Sequence, residues 1–255
     1  MFSFVAGIVL LIIGASASSR IQQSSSEKTE AQRELNLYKQ EVVDATPTQL
    51  GVLTERQKIH SKLYSFYGGR NKKKLSEFIS HPEGKVIAFD FEIGLGPKLT
   101  TLVTNEEYFG RLADESDAII SGRAIQKVSQ ITEDDTFIFT DYHIEVIEVF
   151  KDNPISPLAN GVNITLTRPG GKIVVDGVIM QATDHHFLPL PVNTKEVFLF
   201  LKYIPQTGAY QATRDTGSFQ LDDETLRPLT EAHFPPGVVW NRNSFLQTVR
   251  GMQNK

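Results

Sequence analysis

The sequence predicts a mainly β protein, a small bulged barrel of five to seven strands that follows an N-terminal helical segment. From about residue 85 onward, short runs of β-branched and aromatic residues alternate with turn residues, which is typical of strands. Within residues 138–149 the alternation slips by one residue, as it does at a β-bulge in a strand that coils. Between residues 54 and 79 the apolar spacing is three or four, which indicates helix.

These patterns divide the chain into five parts. The divisions follow from changes in composition, from turn residues and from the change of apolar spacing. The predicted parts are a signal peptide or N-terminal anchor (1–17), a polar linker (18–26), a helical segment (27–82), the β-barrel domain (83–230) and a C-terminal tail with a short helix at 245–249 (231–255).

The first residues predict export. Residues 2–14 are almost wholly apolar, and residues 15–17 (Ala-Ser-Ala) match a signal-peptidase site. The run is shorter than the roughly 20 residues of a membrane span, yet no Lys or Arg precedes it, so cleavage after Ala17 and an uncleaved anchor both remain open. We therefore expect a periplasmic, extracellular or membrane-anchored protein. The complete lack of cysteine favours a bacterial exported chain over a eukaryotic one.

Three helices are predicted in the N-terminal part. The first covers residues 26–43. The second begins at Thr54, because Thr54 and Gln57 have the spacing of a capping box, and it ends at the glycine pair 68–69. A short third helix is expected over residues 73–79.

The strands of the β domain are predicted from alternation and turn residues. A bulge is expected at Gly122. The segments 163–167 and 172–179 are expected to pair as a hairpin, because Pro169-Gly170 suits the centre of a type II turn. The other predicted strands are residues 86–91, 118–124, 138–149, 197–203, 210–213 and 218–221.

Three segments in this order resemble the OB-type barrel of the netrin-like and tissue-metalloproteinase-inhibitor class: residues 116–124, 142–151 and 197–201. The resemblance covers roughly residues 114–225. It implies an OB-like fold and binding to other proteins. The inhibitors use an N-terminal cysteine to bind metal, so the lack of cysteine means that protease inhibition is not implied here. The chain is also similar to exported bacterial proteins of unassigned function.

The charge distribution argues against nucleic acid as a partner. Residues 82–255 carry fifteen Lys and Arg against twenty-three Asp and Glu, a net charge of −8. Binding to phosphates needs a basic surface, which an acidic domain does not offer.

Two groups of polar residues are candidate metal ligands. Asp141 and His143 are two residues apart on a predicted strand and so share a face, while Asp184, His185 and His186 are consecutive, with Asp176 as a further possible partner. If the protein were an enzyme, Asp141, His143, His185 and His186 would suit a metal-dependent hydrolase. The alternative is that these residues are solvated on a strand face and a loop. Neither an HExxH helix motif nor a GxSxG elbow occurs in the sequence.

The sequence therefore favours a non-enzymatic binding or adaptor module that acts outside the cytoplasm and needs no cofactor. Its expected partner is an envelope protein or a cell-wall polymer, with membrane association through the N-terminal segment. We expect Phe187 and Leu190, in an apolar loop, to contact the partner. The alternatives are the metal-dependent hydrolase and a structural envelope subunit that assembles through its helical segment.

Overall fold

The computed structural model describes seven stretches of the chain. They are residues 46–47, 52–68, 74–79, 86–90, 105–183, 186–230 and 239–252. All of them belong to one unit, Ala45–Lys255. The predicted signal or anchor segment, the polar linker and the helix at 26–43 lie outside the described residues.

The described residues form four α-helices, a 3-10 turn and twelve strands. The helices are α1 (Glu55–Tyr64), α2 (Leu75–Ile79), α3 (Asn105–Glu115) and α4 (Arg242–Met252), and the 3-10 turn Ser65–Gly68 directly follows α1. The strands are β1 (Thr46–Pro47), β2 (Val86–Asp90), β3 (Ala118–Ile131), β4 (Ile138–Lys151), β5 (Asn163–Pro169), β6 (Gly171–Val175), β7 (Val178–Thr183), β8 (Glu196–Ile204), β9 (Ala209–Ala212), β10 (Ser218–Leu221), β11 (Thr225–Pro228) and β12 (Trp240–Asn241). No helix in this described part is long and apolar enough to span a membrane.

Helix α1 begins where the sequence predicts it, at the capping box. The Gln57 backbone N–H donates to Thr54 Oγ1 at 3.3 Å, and the Thr54 N–H donates to Gln57 Oε1 at 2.9 Å. These bonds satisfy two backbone donors that a helix start leaves free. His60 and Tyr64, one turn apart, are buried on the face that packs against the sheet.

The larger sheet confirms the mainly β class and curves into a partial ring. Its strand order is β12-β11-β10-β8-β3-β4-β5-β9, and β9 also pairs with β8. Five strands, β8, β3, β4, β5 and β9, therefore follow one another around a circuit. The circuit is closed between β5 and β9 by a single parallel pair, Leu166 with Tyr210.

Bulges between β3 and β4 allow this curvature. Gly122 pairs with Val146, whereas the preceding Ser121 pairs with Glu148, so Ile147 is skipped on β4. The predicted bulge at Gly122 on β3 and the predicted slip within residues 138–149 on β4 are thus the same bulge, in which the two strands face each other. A Cβ at Gly122 would lie 2.7 Å from a side-chain carbon of Ile144, so only glycine fits this close approach.

The predicted hairpin across residues 168–171 is wrong. Strand β5 pairs with β4 and β9 in the larger sheet, whereas β6 pairs with β7 in a second sheet of order β1-β6-β7-β2. Gly170 and Gly171, with φ of 83° and 144°, carry the chain from one sheet to the other. The real hairpin joins β6 to β7 through Asp176 and Gly177, both with positive φ, as a tight two-residue turn requires.

Two large clusters of buried side chains fill the fold. One packs α3 and α4 against the strands β8, β10 and β11, and it includes Phe109, Phe198 and Phe245. The other lies among the strands of the ring and includes Tyr142, Leu199 and Tyr210. Helix α3 was not predicted from the sequence, although its buried residues have helical spacing. Helix α4 covers the segment 245–249, where a short helix was expected.

Candidate functional site

A cavity of about 180 Å³ lies where the end of α1 meets the end of β5. Its walls come from α1 and its 3-10 turn, from β5, from the loop after β7 and from the end of β9 with the segment that follows. The lining residues are Tyr64, Tyr67, Thr167, Arg168, Pro169, Phe187, Gln211, Ala212, Thr213, Arg214 and Asp215.

Arg168 is the unusual member of this lining. Its side chain is buried, with 2% exposure, and its Nε, Nη1 and Nη2 atoms have no hydrogen-bond partner among the described residues. Its guanidinium carbon lies 5.5 Å from the centre of the Phe187 ring, which covers it. Burial lowers the pKa of Arg168, because the charged form loses its hydration. A buried charge without a partner is costly, so this position favours an incoming anion.

The position of Arg168 in the sheet explains its burial. It lies near the end of β5, paired with Thr140 of β4, in a strand whose residues 164–169 are all buried. The chain leaves the sheet directly afterwards, at Gly170. The other cavity residues come from α1 and its 3-10 turn, from the loop after β7 and from the end of β9. Elements that are distant in the sequence therefore surround the guanidinium.

Aromatic rings form the wall contributed by α1 and its 3-10 turn. Tyr64 stacks on Phe139 with ring centres 5.8 Å apart, and Tyr67 stacks on Phe137 at 5.5 Å. Both phenylalanines are buried, so they hold the tyrosines in place. Burial raises the pKa of Tyr64 above the ordinary tyrosine value, so its phenol stays neutral even at a pH where an exposed tyrosine ionises.

Two further charged residues line the cavity. Arg214 forms an ion pair with Glu115 of α3, in which the Nε–H donates to Oε2 at 2.7 Å. Glu115 raises the pKa of Arg214 through this hydrogen bond. Asp215 is buried, with 8% exposure, and its Oδ1 accepts the Thr216 backbone N–H at 2.9 Å. The cavity therefore has charges of both signs in its walls.

A second buried polar centre lies one helical turn from the cavity. The Nδ1 atom of His60 is 2.8 Å from Asp141 Oδ1, and its Nε2 atom is 3.1 Å from Thr207 Oγ1. A carboxylate only accepts, so Nδ1–H donates to Asp141. His60 and Asp141 have 0% and 1% exposure, which leaves no room for a substrate between them. This His60–Asp141–Thr207 cluster joins α1 to β4 and to the turn between β8 and β9.

The other predicted metal candidates form no metal site in the described part of the chain, and two of them lie outside it. His143 is half-buried on β4 and pairs with Thr165 of β5. His186 is buried after β7, while Asp184 and His185 lie outside the described residues. Within the part of the chain that the structure describes, no three His, Cys, Asp or Glu side chains come close enough to hold a metal ion.

The two predicted partner-binding residues occupy different environments. Phe187 is half-buried and covers the Arg168 guanidinium in the cavity wall. Leu190 has 3% exposure and packs in the core cluster of the ring. A change at Leu190 therefore acts on packing, whereas a change at Phe187 acts on the cavity.

Sequence reasoning missed Arg168, Tyr64 and Tyr67 as site residues. The sequence pattern places residue 168 in the turn of the predicted hairpin, because Pro169 and Gly170 follow directly. The sequence signal that could have identified Arg168 is its place directly after a run of strand-forming residues, 163–167. Comparison with protein-family models and with curated proteins finds no match for this chain.

Proposed function

We propose that this chain is a non-enzymatic binding module that acts outside the cytoplasm, and that its cavity receives an acidic group of the ligand. The observation that carries the proposal is the buried guanidinium of Arg168, which has no hydrogen-bond partner among the described residues. An acidic group placed there would supply the missing partner. The cost of keeping this charge buried would then be offset in the complex.

The chemistry of the cavity suits a carboxylate. A guanidinium presents its N–H groups in a planar fork that matches the two oxygens of a carboxylate. The rings of Phe187, Tyr64 and Tyr67 add apolar surface around it. Pockets that combine apolar walls with a few polar groups are typical of ligand sites.

The fold supports the same proposal. The circuit β8, β3, β4, β5, β9 and the bulge at Gly122 are features that an OB-like barrel would have, and we propose that finer assignment. The apolar run at residues 2–14 and the small residues after it support export. The acidic group would then belong to an envelope protein or a cell-wall polymer.

The His60–Asp141–Thr207 cluster does not favour an enzyme over this proposal. Its histidine and aspartate are enclosed by the fold, and both imidazole nitrogens already have protein partners. A general base must reach the proton that it abstracts from a substrate. Since His60 is fully enclosed, the cluster is better suited to holding α1 on the sheet.

Isothermal titration calorimetry on the full chain tests the proposal with sodium acetate, propionate, phosphate and sulfate as probes. We expect saturable binding of the carboxylates, and we expect Arg168→Met to abolish it. Arg123→Met is the matched control, because Arg123 is exposed on β3. If none of the four anions binds, or if the two variants bind them equally well, the cavity is not an anion site.

A further inference from the structure

We infer that the outer side of α1 and its 3-10 turn is a contact surface for an anionic lipid bilayer. We call it the α1 surface and define it by Lys62, Leu63 and Phe66. In the bound state Phe66 enters the interface of the bilayer, and Lys62 lies among the lipid head groups. This contact goes beyond the proposed function and does not depend on the anion site at Arg168.

Phe66 is the exposed aromatic residue of the α1 surface. Its side chain is 64% exposed, and no other Phe, Tyr or Trp side chain that the structure describes is exposed. The ring centres of Phe66 and Tyr67 are 4.0 Å apart, and Tyr67 stacks on the buried Phe137 at 5.5 Å. These contacts hold the Phe66 ring on the outside of the fold. An aromatic ring in this position gains from leaving water for the interface of a bilayer.

A cation lies beside this ring. Lys62 is exposed and Leu63 is half-buried, four and three residues before Phe66. Residues at these separations are neighbours on a helix, so the three side chains lie on one side of α1 and its 3-10 turn. The α1 surface therefore combines apolar and positively charged groups, as helices that lie in a membrane interface do.

The sequence around the α1 surface is basic in an acidic protein. Residues 56–76 contain seven Lys and Arg and no Asp or Glu, whereas the whole chain has a net charge of −4. Lys74, directly before α2, is exposed. Arg70, Lys72 and Lys73 lie outside the described residues and contribute here only through their charge.

The neighbouring acidic residues do not cancel this charge. Both α1 and α2 bind the turn between β3 and β4: the Glu133 backbone N–H donates to Ser61 Oγ at 2.7 Å, and the Leu75 N–H donates to the Asp135 carbonyl at 2.7 Å. Five acidic residues border the basic segment, at positions 55, 77 and 133–135. With these included, residues 55–77 and 133–135 have a net charge of +2, and the rest of the chain has −6.

An anionic bilayer suits both features of the α1 surface. Lysines near such a bilayer gain from its negative surface potential, and the exposed ring gains from its apolar boundary. A soluble anionic polymer would match the lysines and leave Phe66 in water. The expected export of the chain, with residues 2–14 as a signal peptide or an anchor, would bring the protein to a membrane.

A fluorescent label at one position of the full chain tests the inference. The chain has no cysteine, so Phe66→Cys carries an environment-sensitive label in place of the ring, and Ile155→Cys, at a position that is 75% exposed on another loop, is the matched control. The probes are vesicles of phosphatidylcholine with no or about 30% phosphatidylglycerol, with spin-labelled lipid as the quencher. We expect quenching at position 66 on the anionic vesicles only, and none at position 155. Each label reports its own position, so the comparison holds whether or not the N-terminal segment enters the bilayer.

Removal of lysines should weaken the contact. In the chain labelled at position 66, Lys62→Gln together with Lys74→Gln should lower the equilibrium constant for contact, taken from the quenched fraction, at least about tenfold. The matched control is Arg111→Gln together with Arg123→Gln, which removes two exposed cations from α3 and β3 and should change nothing.

Four results would overturn the inference. They are equal quenching at positions 66 and 155, equal quenching on neutral and anionic vesicles, a label at position 66 that is already shielded before vesicles are added, and a label that responds to soluble heparin and not to vesicles. The third would show that the α1 surface is covered within the chain, and the fourth would identify an anionic polymer as its partner. Titration of the unaltered chain with propionate tests the anion site separately, so either proposal can fail while the other stands.

Discussion

Two buried polar centres in the described part of the chain lie close together on the fold and differ in how completely they are paired. In the His60–Asp141–Thr207 cluster both imidazole nitrogens and Asp141 Oδ1 have partners, while Asp141 Oδ2 has none among the described residues, and the cluster joins α1 to the sheet. At Arg168 none of the three guanidinium nitrogens has a hydrogen-bond partner among the described residues. The first centre holds two elements of the fold together, and the second is the buried charge on which the proposed function rests.

The contrast gives a physical criterion for function. A buried polar group that has its hydrogen bonds stabilises the fold, whereas a buried charge without partners destabilises it. Proteins retain such destabilising features where they serve a site. The two centres should therefore respond to truncation with opposite signs.

The largest effect is expected at His60. His60→Ala leaves the Asp141 carboxylate buried without a partner, and the free energy of unfolding should fall by about 3–5 kcal/mol. The control is His143→Ala, since His143 lies two residues along β4 from Asp141 and is only half-buried; its cost should stay below about 1 kcal/mol. Urea unfolding followed by circular dichroism measures both. Equal losses in the two variants would contradict a structural role for the cluster.

Leu190 and Phe187 should separate packing from binding. Leu190→Ala removes a buried side chain and should lower the free energy of unfolding by about 2–5 kcal/mol, while carboxylate binding persists in the folded protein. Phe187→Ala uncovers Arg168 and should weaken carboxylate binding severalfold, at a stability cost of about 1 kcal/mol. Unfolding curves and calorimetric titration measure the pair. If Leu190→Ala were the variant that lost binding, the two environments would have been assigned the wrong way round.

Arg168→Met should stabilise the ligand-free protein by about 1–3 kcal/mol, because an apolar side chain of similar length replaces an unpaired charge. Adding a ligand should reverse the order of the two proteins. At a concentration of one hundred times its Kd, a ligand adds about 2.7 kcal/mol to the wild type and nothing to a variant that cannot bind it. Urea midpoints with and without propionate measure this. A destabilised Arg168→Met protein would show that the guanidinium is already paired.

The smallest effect at neutral pH is expected at Tyr64, which shares α1 with His60 and lines the cavity. Tyr64→Phe should change the free energy of unfolding by less than about 1 kcal/mol at pH 7. Burial raises the pKa of Tyr64 in the folded state, so its contribution is complete below the ordinary tyrosine pKa of about 10 and is lost as pH rises above it. Between pH 9 and 11 the wild type should therefore lose stability faster than Tyr64→Phe. Parallel curves for the two proteins would contradict a raised pKa.

Much of the local structure could be predicted from the sequence. The capping box at Thr54 and the strands at 138–149 and 197–203 depend on neighbouring residues, so short-range patterns were sufficient. Helix α3 is not predicted, although its buried apolar residues have helical spacing. Gly122 was predicted as a bulge from its place within a strand, and the structure shows the close approach that requires it.

The candidate site could not be predicted in the same way. Residues 168–171 look like a turn by composition, and the two glycines there do redirect the chain. After these glycines the chain could return beside β5 or enter another sheet. Which of the two occurs depends on contacts with residues that are distant in the sequence, here those of β7 and β1. The sequence pattern therefore places Arg168 in the turn of a predicted hairpin, and its burial beside the cavity is visible only in the structure.

The sequence by itself determined the mainly β class, the capping of α1 and the bulge at Gly122, because each depends on residues that are close along the chain. Only the tertiary structure decided that β6 pairs with β7, that His60 meets Asp141 across 81 positions, and that Arg168 is buried in a cavity. The reason is physical. Hydrogen bonds and burial between distant residues depend on how the strands and helices assemble, and the cost of an unpaired charge is set by the residues packed around it.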